Sequence, residues 1–407
     1  MFTDFNILIA ASDSAPAAIS AATFKCTGKH DEIVLQQAID ACVEHNCNLI
    51  LANGNYFIDG FTKYDDGGPA TAIRLPIAFR EISIIGQNMP YRSNSGGGVV
   101  LNVTKEALDS IDCETDVIRG EWTPRGISNG SALRLENMSI RLDNNQHPIR
   151  CMDFRRTDRV EVRNVLMFGY DPRAFENVSR ARHPVAAKGC IGMTTTDGSN
   201  AFFSNYINVE AIGFDEAMQV GGEHVVLINC GALCSRYGYT FGNYEFSCGF
   251  NHPITLINCL DERNINLPLF NVCGDHDMEG NLLMGLQEVT MISFNMERNA
   301  DITPGGKLGD LMRETVPGSW RGIINFTLQP AWCHLNAPDL GIWENDGSGS
   351  GFVTKNNTHK QICSSEERRS YCPNYGQQIF DTDLNKLLVC IDPAKRLWVD
   401  ANGNPTH

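Results

Sequence analysis

The 407-residue chain has no run of about 18 apolar residues, the length a membrane-spanning helix needs. Its first residues, Met1-Phe2-Thr3-Asp4, lack the basic stretch of a secretory leader, and the apolar run Ile7 to Ala11 is too short for a leader core. Both absences predict a protein made in the cytoplasm without a signal peptide and without membrane insertion. Basic residues are few. The 33 Lys and Arg face 48 Asp and Glu, leaving a formal net charge of −15. A surface of that sign repels nucleic acid and anionic lipid and favours a neutral or cationic ligand. The 15 cysteines include no paired Cys-x-x-Cys spacing of a zinc site. Several sit within strand-like runs (Cys230, Cys259) or on a helical face (Cys42), and they read as small buried apolar residues in a reducing compartment. Helical periodicity is scarce as well. Only His30 to His45 places apolar residues (Ile33, Val34, Ala38, Ile39, Cys42) on one helical face, with Asp31 and Glu32 in the first turn, where carboxylates suit the dipole.

What the chain has instead is a repeat. Leu135-Glu136-Asn137-Met138, Val162-Arg163-Asn164-Val165, Ile207-Asn208-Val209, Ile228-Asn229-Cys230, Ile257-Asn258-Cys259 and Phe294-Asn295-Met296 are each a β-type apolar run carrying one Asn. The intervals between these Asn residues are 27, 44, 21, 29 and 37. Recurrence at such periods marks a solenoid, whose small units bury a core only by stacking on one another. The Asn column is predicted at a bend. Asn tolerates left-handed backbone there, and stacked amides can bond from coil to coil. Further strands are expected at Asn48 to Leu51, Tyr56 to Ile58 after an Asn53-Gly54 turn, Glu81 to Gly86, Val99 to Val103 and Ala132 to Ile140. The tail reads as a β-meander through Gln378 to Asp381, Leu387 to Ile391 and Leu397 to Val399. The lone helix would cover the open end of the solenoid, where bare strand edges invite aggregation.

The run Ile9 to Ser14, then Cys26 and Gly28, then Asp31 to Asp40, then Asn48 to Ile58 resembles the opening of the pectate-lyase-like right-handed parallel β-helix superfamily. The variant it most resembles occurs in phage and prophage tail proteins, and Ile82 to Asn88 matches the next strand of that pattern. The segment Phe380 to Lys386 followed by Trp398-Val399-Asp400 is similar to a short C-terminal module of phage tail proteins. The resemblance implies an all-β protein: a right-handed, single-stranded parallel β-helix with an N-terminal capping helix and a small C-terminal β-meander. Residues 1–60 would be the opening strand and cap, 61–350 the coils with inserted loops, and 351–407 a linker and small β module. It further implies a carbohydrate-active protein, a homotrimer and a virion-associated location (or release on lysis), with other virion tail proteins as partners. The superfamily spans pectate lyases, polygalacturonases, epimerases, fructan transferases and tailspike depolymerases. The Gly-His-Gly and Arg-x-Lys signatures of polygalacturonases are missing from the expected coils.

Stacking places equivalent residues about 4.8 Å apart, so columns can be read from the Asn alignment. Seven residues after the Asn stand Asp215, Arg236 and Ile265, making Asp215 and Arg236 neighbours: a surface ion pair, or a groove carboxylate oriented by a guanidinium. Six before the Asn stand Phe202, Glu223 and His252, so Glu223 and His252 become neighbours: a solvated pair, or an acid beside an imidazole. The densest acidic run, Asp275, Asp277 and Glu279, falls in a lengthened coil, with Asp261, Glu262 and Arg263 upstream. Glycoside hydrolysis needs one protonated and one ionised carboxyl, and crowding acids raises at least one pKa. The same run equally fits a solvated loop, and its Asp-x-Asp spacing fits a structural or catalytic calcium ion. No other metal or cofactor is indicated. Trp320, Trp332 and Trp343 offer flat faces for sugars or apolar bulk to close the far end, and Tyr237, Tyr239, Tyr244 and Phe246 carry the same alternatives.

The expected function is a tailspike-like protein that binds and hydrolyses a polysaccharide, with Asp275, Asp277 and Glu279 first and Asp261, Glu262 and Asp215 next as the catalytic carboxylates. Arg236, Tyr237, Glu223, His252 and the three tryptophans would bind substrate. The rivals are a non-catalytic virion receptor-binding or structural protein and a polysaccharide lyase or epimerase. A β-helix starting almost at Met1 leaves no room for a virion-anchoring head, which favours the first rival. Arg236, Tyr237 and Arg263 could serve the second, although scarce Lys argues against polyanions.

Overall fold

The computed structural model describes residues 6–76, 81–90, 98–122, 132–155, 157, 159–170, 185–195, 203–222, 224–241, 254–262, 264, 269–272, 288–297, 312–314, 322–328, 351–355, 362–370, 378–392, 395 and 397–406. Two parallel sheets dominate. The first stacks Asn6–Ala10, Asn48–Leu51, Glu81–Gly86, Ala132–Leu142, Arg159–Phe168 and Asn205–Ile212 in chain order, then continues through Val225–Ile228 and Ile254–Ile257 to Glu288–Glu297. The second stacks Ala70–Leu75, Thr115–Gly120, Ile149–Asp153, Ile191–Thr194, Glu216–Val220, Tyr237–Phe241, Leu269–Val272 and Met312–Glu314. Successive coils add strands to both sheets. The chain is therefore a right-handed parallel β-helix, with one apolar core running from Ile7 to Phe294 between the sheets.

The Asn column is the corner of each coil on the first sheet. Asn137, Asn164, Asn208, Asn229 and Asn258 all hold left-handed backbone, with φ between 53° and 58°. Their side-chain amides form a ladder. Asn164 donates to Asn137 at 2.9 Å, Asn208 to Asn164 at 2.9 Å, Asn229 to Asn208 at 3.3 Å and Asn258 to Asn229 at 2.8 Å. Asn137 ends the ladder on the carbonyl of Gly86, 3.2 Å away. A Cβ on Gly86 would lie 1.9 Å from the Asn137 carbonyl oxygen, so only glycine fits there. The sixth Asn is a correction. Ile257 pairs with Ile292 and Leu260 with Asn295, so the corner falls on Ser293, which has φ 53°.

The helix Asp31–His45 packs on the opening strands and on Ala70–Leu75. Its buried face is Leu35, Ala38, Ile39 and Cys42, whereas Ile33 is 54 % exposed, which corrects the face read from spacing. Asp31 and Glu32 are buried as well. Asp31 accepts from the backbone N–H groups of Thr27, Gly28 and Phe57 at 2.9 to 3.0 Å, and Glu32 from that of Asp59 at 3.1 Å. Their carboxylates thus anchor the neighbouring coil in addition to facing the helix dipole. Asn53-Gly54 makes the expected turn, between Asn48–Leu51 and Gly54–Ile58.

The tail folds as expected into antiparallel Gln378–Asp381, Lys386–Asp392 and Leu397–Asp400 around Ile379, Leu388, Cys390 and Trp398. Ile362–Cys363 and a short helix, Ser365–Ser370, join this unit through Arg368, buried against Asp381 at 2.7 Å. Among the described residues no helix is long and apolar enough to cross a membrane.

Removing one amide should break the ladder on both sides. Asn208→Ala loses two hydrogen bonds and forces an alanine into left-handed backbone, an expected destabilisation of about 2–3 kcal/mol. Asn208→Gly keeps the backbone and should lose less. Urea melts of the two variants check this, and equal loss from both would contradict the corner's role.

Candidate functional site

The second sheet carries a repeat of its own. Thr71 to Arg74, Asp116 to Arg119, Arg150 to Asp153, Ile191 to Thr194, Glu216 to Gln219 and Tyr237 to Thr240 stack on one another. The ladder pairs Arg150 with Asp116 and Met152 with Ile118, passing over Cys151 and Val117. That local bend lets two consecutive residues (Cys151 and Met152, Ala217 and Met218) enter the core. The first and fourth residues of each unit therefore both face away from it. The result is a polar outer face two columns wide.

Its N-terminal half is a network of charges. The Arg150 Nη1 donates to Glu114 and Asp116 at 3.0 Å and to Asp153 at 3.3 Å. Arg155 donates to Asp153 at 2.8 Å and to Glu114 at 2.7 Å, and its guanidinium lies 5.1 Å from the Trp122 ring centre. One coil earlier Arg119 holds Asp66 through two hydrogen bonds of 2.7 and 2.8 Å. Asp116, Arg119, Arg150, Asp153 and Arg155 are all buried. Charges so far from water persist only when paired and hydrogen-bonded. Two carboxyls that share Arg150 acquire opposite proton affinities. Burial and the neighbouring Asp153 raise Asp116 well above the usual carboxylate range. For Asp153 burial pulls the same way, but the Arg155 and Arg150 guanidiniums outweigh it and hold the carboxyl well below that range. The half-exposed Glu114 is lowered likewise, the two arginines overcoming its burial.

The C-terminal half carries fewer charges, and its Glu216 and Gln219 are half-buried. Glu216 accepts from Thr240 Oγ1 at 2.7 Å and from Gln219 Nε2 at 3.1 Å, and Thr194 donates to Gln219 at 2.8 Å. Burial raises the Glu216 pKa despite the two donors. Beside it, Asp215 accepts from the Gly189 N–H at 2.9 Å and pairs with Arg236. Burial also outweighs these partners and raises the Asp215 carboxyl. A carboxyl whose pKa is raised by burial and whose position is fixed by side-chain hydrogen bonds has the features a general acid needs.

Of the residues expected from sequence, the fold brings together Asp215 and Arg236 on adjacent coils, with Tyr237 stacked on Glu216. Asp261 lies in Leu260–Glu262, buried, with Asn264 donating to it at 2.7 Å. Glu262 is the half-buried end of the same strand. Glu223, His252, Arg263, Asp275, Asp277, Glu279, Trp320, Trp332 and Trp343 lie outside the described residues, as do Tyr244 and Phe246. Glu114, Asp116, Arg150, Asp153, Arg155, Glu216, Gln219 and Thr240 were missed. For all but Glu114 and Arg155 the signal is a four-residue unit with polar ends, which Ile191 alone interrupts and which is visible only when the coils are aligned on the second sheet.

No family model matches the chain, and no curated protein matches it. Among solved structures it is similar to ORF18 of Geobacillus virus E2, at 11 % identity and TM-score 0.42, over 72 % of this chain and 51 % of that one. It is similar to the tailspike protein of E. coli bacteriophage HK620 in complex with pentasaccharide, at 11 % identity and TM-score 0.37, over 79 % of this chain and 61 % of that one. It is also similar to the A-module of the Azotobacter vinelandii mannuronan C-5 epimerase AlgE4, at 12 % identity and TM-score 0.34, over 72 % of this chain and 89 % of that one. The match thus spans about half the length of the first of these proteins. Likeness at this level adds nothing to what the chain's own strand register defines.

Opposite proton affinities give opposite stability effects. Asp153, lowered on folding, contributes stability above the ordinary carboxylate pKa of about 4 and loses it as pH falls. Asp116, raised on folding, detracts from stability as pH rises above about 4. Asp153→Asn should therefore cost roughly 3 kcal/mol at pH 7 by leaving two arginines underpaired. Asp116→Asn, which can still accept from Arg150, should leave the melting temperature unchanged or higher. The difference should shrink toward pH 3. Thermal melts across this range decide, and equal losses from both variants would contradict the assignment.

Proposed function

We propose that the chain is a tailspike-like carbohydrate-active protein that binds a polysaccharide along the polar face of the second sheet and hydrolyses it. The observation that carries this reading is Glu216, an outward-facing carboxyl whose pKa burial raises and that Thr240 and Gln219 hold in place. In this reading Glu216 donates a proton to the leaving glycosidic oxygen. Arg236, Tyr237 and Asp215 flank it as binding groups, and Arg150 and Arg155 stiffen the neighbouring coils. The ionised partner comes from Asp275, Asp277 or Glu279, which follow the strand Leu269–Val272 in the chain. That strand lies two coils beyond Glu216 on the same sheet. Glu262 is retained as an alternative partner. A homotrimer and a virion location belong to the same proposal and rest on the resemblance of the opening segment.

Digestion of a panel of purified bacterial surface polysaccharides, followed by reducing-end assay, tests it. Glu216→Gln should lower turnover by about 10²- to 10⁴-fold while leaving glycan affinity nearly unchanged. Binding without turnover in both proteins would instead identify a receptor-binding protein. A product bearing a new double bond would identify a lyase. Unchanged turnover in Glu216→Gln would remove Glu216 from the chemistry.

A further inference from the structure

Two aromatic residues at the corner leading from the second sheet into the first hold left-handed backbone, which is unusual for a phenylalanine. Phe203 has φ 61° and His224 has φ 56°. Their side chains crowd the left-handed region, where glycine and asparagine are tolerated best. The register places them on adjacent coils, each two residues before a paired position, Asn205 opposite Val226. Their rings stack, with centres 5.0 Å apart and planes 15° from parallel, and Phe203 remains 58 % exposed. At the Asn-ladder corner the same left-handed geometry is met by asparagine on five coils. His30, Cys234 and Ser293 adopt this backbone as well, and histidine is among the residues that tolerate it, so the outlier is the bulky Phe203. Surrounding bonds hold the strained corner in place. Asn205 donates to the Phe203 carbonyl at 3.3 Å, Ser204 Oγ accepts from the Val160 N–H at 3.2 Å, and Thr195 Oγ1 donates to the Gly221 carbonyl at 2.7 Å. Backbone strain kept against an available alternative marks a functional position.

We propose that Phe203 and His224 form an aromatic platform that takes the apolar face of a sugar ring. It extends the binding site from Thr194 and Gln219, which lie near the ends of their strands, around the corner that follows them. The proposal rests on the reading of the protein as a polysaccharide binder. Stacking on His224 covers one face of the Phe203 ring and steadies it, so the apolar area on offer is the remaining face and edge of this 58 % exposed ring, on which the C–H face of a pyranose packs. Neither residue touches the reacting atoms, so the platform acts on affinity.

The test uses Phe203→Asn and His224→Asn, each in the full-length protein carrying Glu216→Gln to suppress turnover. Asparagine suits the left-handed backbone, so neither change should lower the melting temperature. Affinity is measured by calorimetry for whichever oligosaccharide binds on an array of purified O-antigen and capsular fragments. Phe203→Asn should weaken binding roughly five- to tenfold, and His224→Asn by a smaller factor. Unchanged affinity would overturn the platform and leave the proposed function standing. A lowered melting temperature accompanying the loss would also overturn it, because the ring pair would then be structural. If the parent binds no fragment on the array, the proposed function and the platform fall together.

Discussion

Asn164 donates to Asn137, accepts from Asn208, and so fixes the height of its own coil against both neighbours. Repeated through Asn258, this contact sets the register of every strand that follows. A primary amide is both donor and acceptor, so it can stack on copies of itself without leaving a partner unsatisfied. Asparagine also accepts the left-handed backbone that turns the chain at each corner. One residue type thus meets two demands. With the register fixed, residues 20 to 45 positions apart in sequence become vertical neighbours, and side-chain chemistry on one coil can be read against the next.

That constraint explains why the first sheet was legible in the sequence and the second was not. An amide ladder joins like with like, so the same letter recurs along the chain. The polar face of the second sheet joins unlike with unlike. Asp116 meets Arg150, and Glu216 meets Thr240, so each coil needs a different residue from its neighbour. No letter repeats, and the pattern is carried by polarity alone. The pair Asp215 and Arg236 could be read in advance because the two coils concerned have equal length from the Asn onward. Asn295 misled for a related reason. The strand Glu288–Glu297 offers both Ser293 and Asn295 near its corner, and the register selects the serine. In the helix Asp31–His45, spacing gave the element but misplaced its face, because buried carboxylates on Asp31 and Glu32 rotate the interior side toward Leu35.

Buried charge divides the outer face into two functional halves. Toward the N-terminus the arginines are consumed by carboxylates, and the network gains rigidity more than affinity. Toward the C-terminus burial raises the carboxyls of Glu216 and Asp215, and hydroxyl and amide groups surround Glu216 in place of guanidiniums. On a solenoid each coil touches only its neighbours, so a rigid charge network on one group of coils can support a less tightly paired polar patch on the next. The exposed Phe203 ring adds an apolar element at the edge of that patch.

Diffraction from crystals of the protein soaked with a mixture of bacterial surface oligosaccharides tests the central claim most directly. The account predicts sugar density lying across Glu216, Gln219 and Tyr237 on the outside of the second sheet, above a continuous line of stacked asparagines on the first. Sugar bound to the first sheet instead, or asparagines that do not share a line, would contradict it.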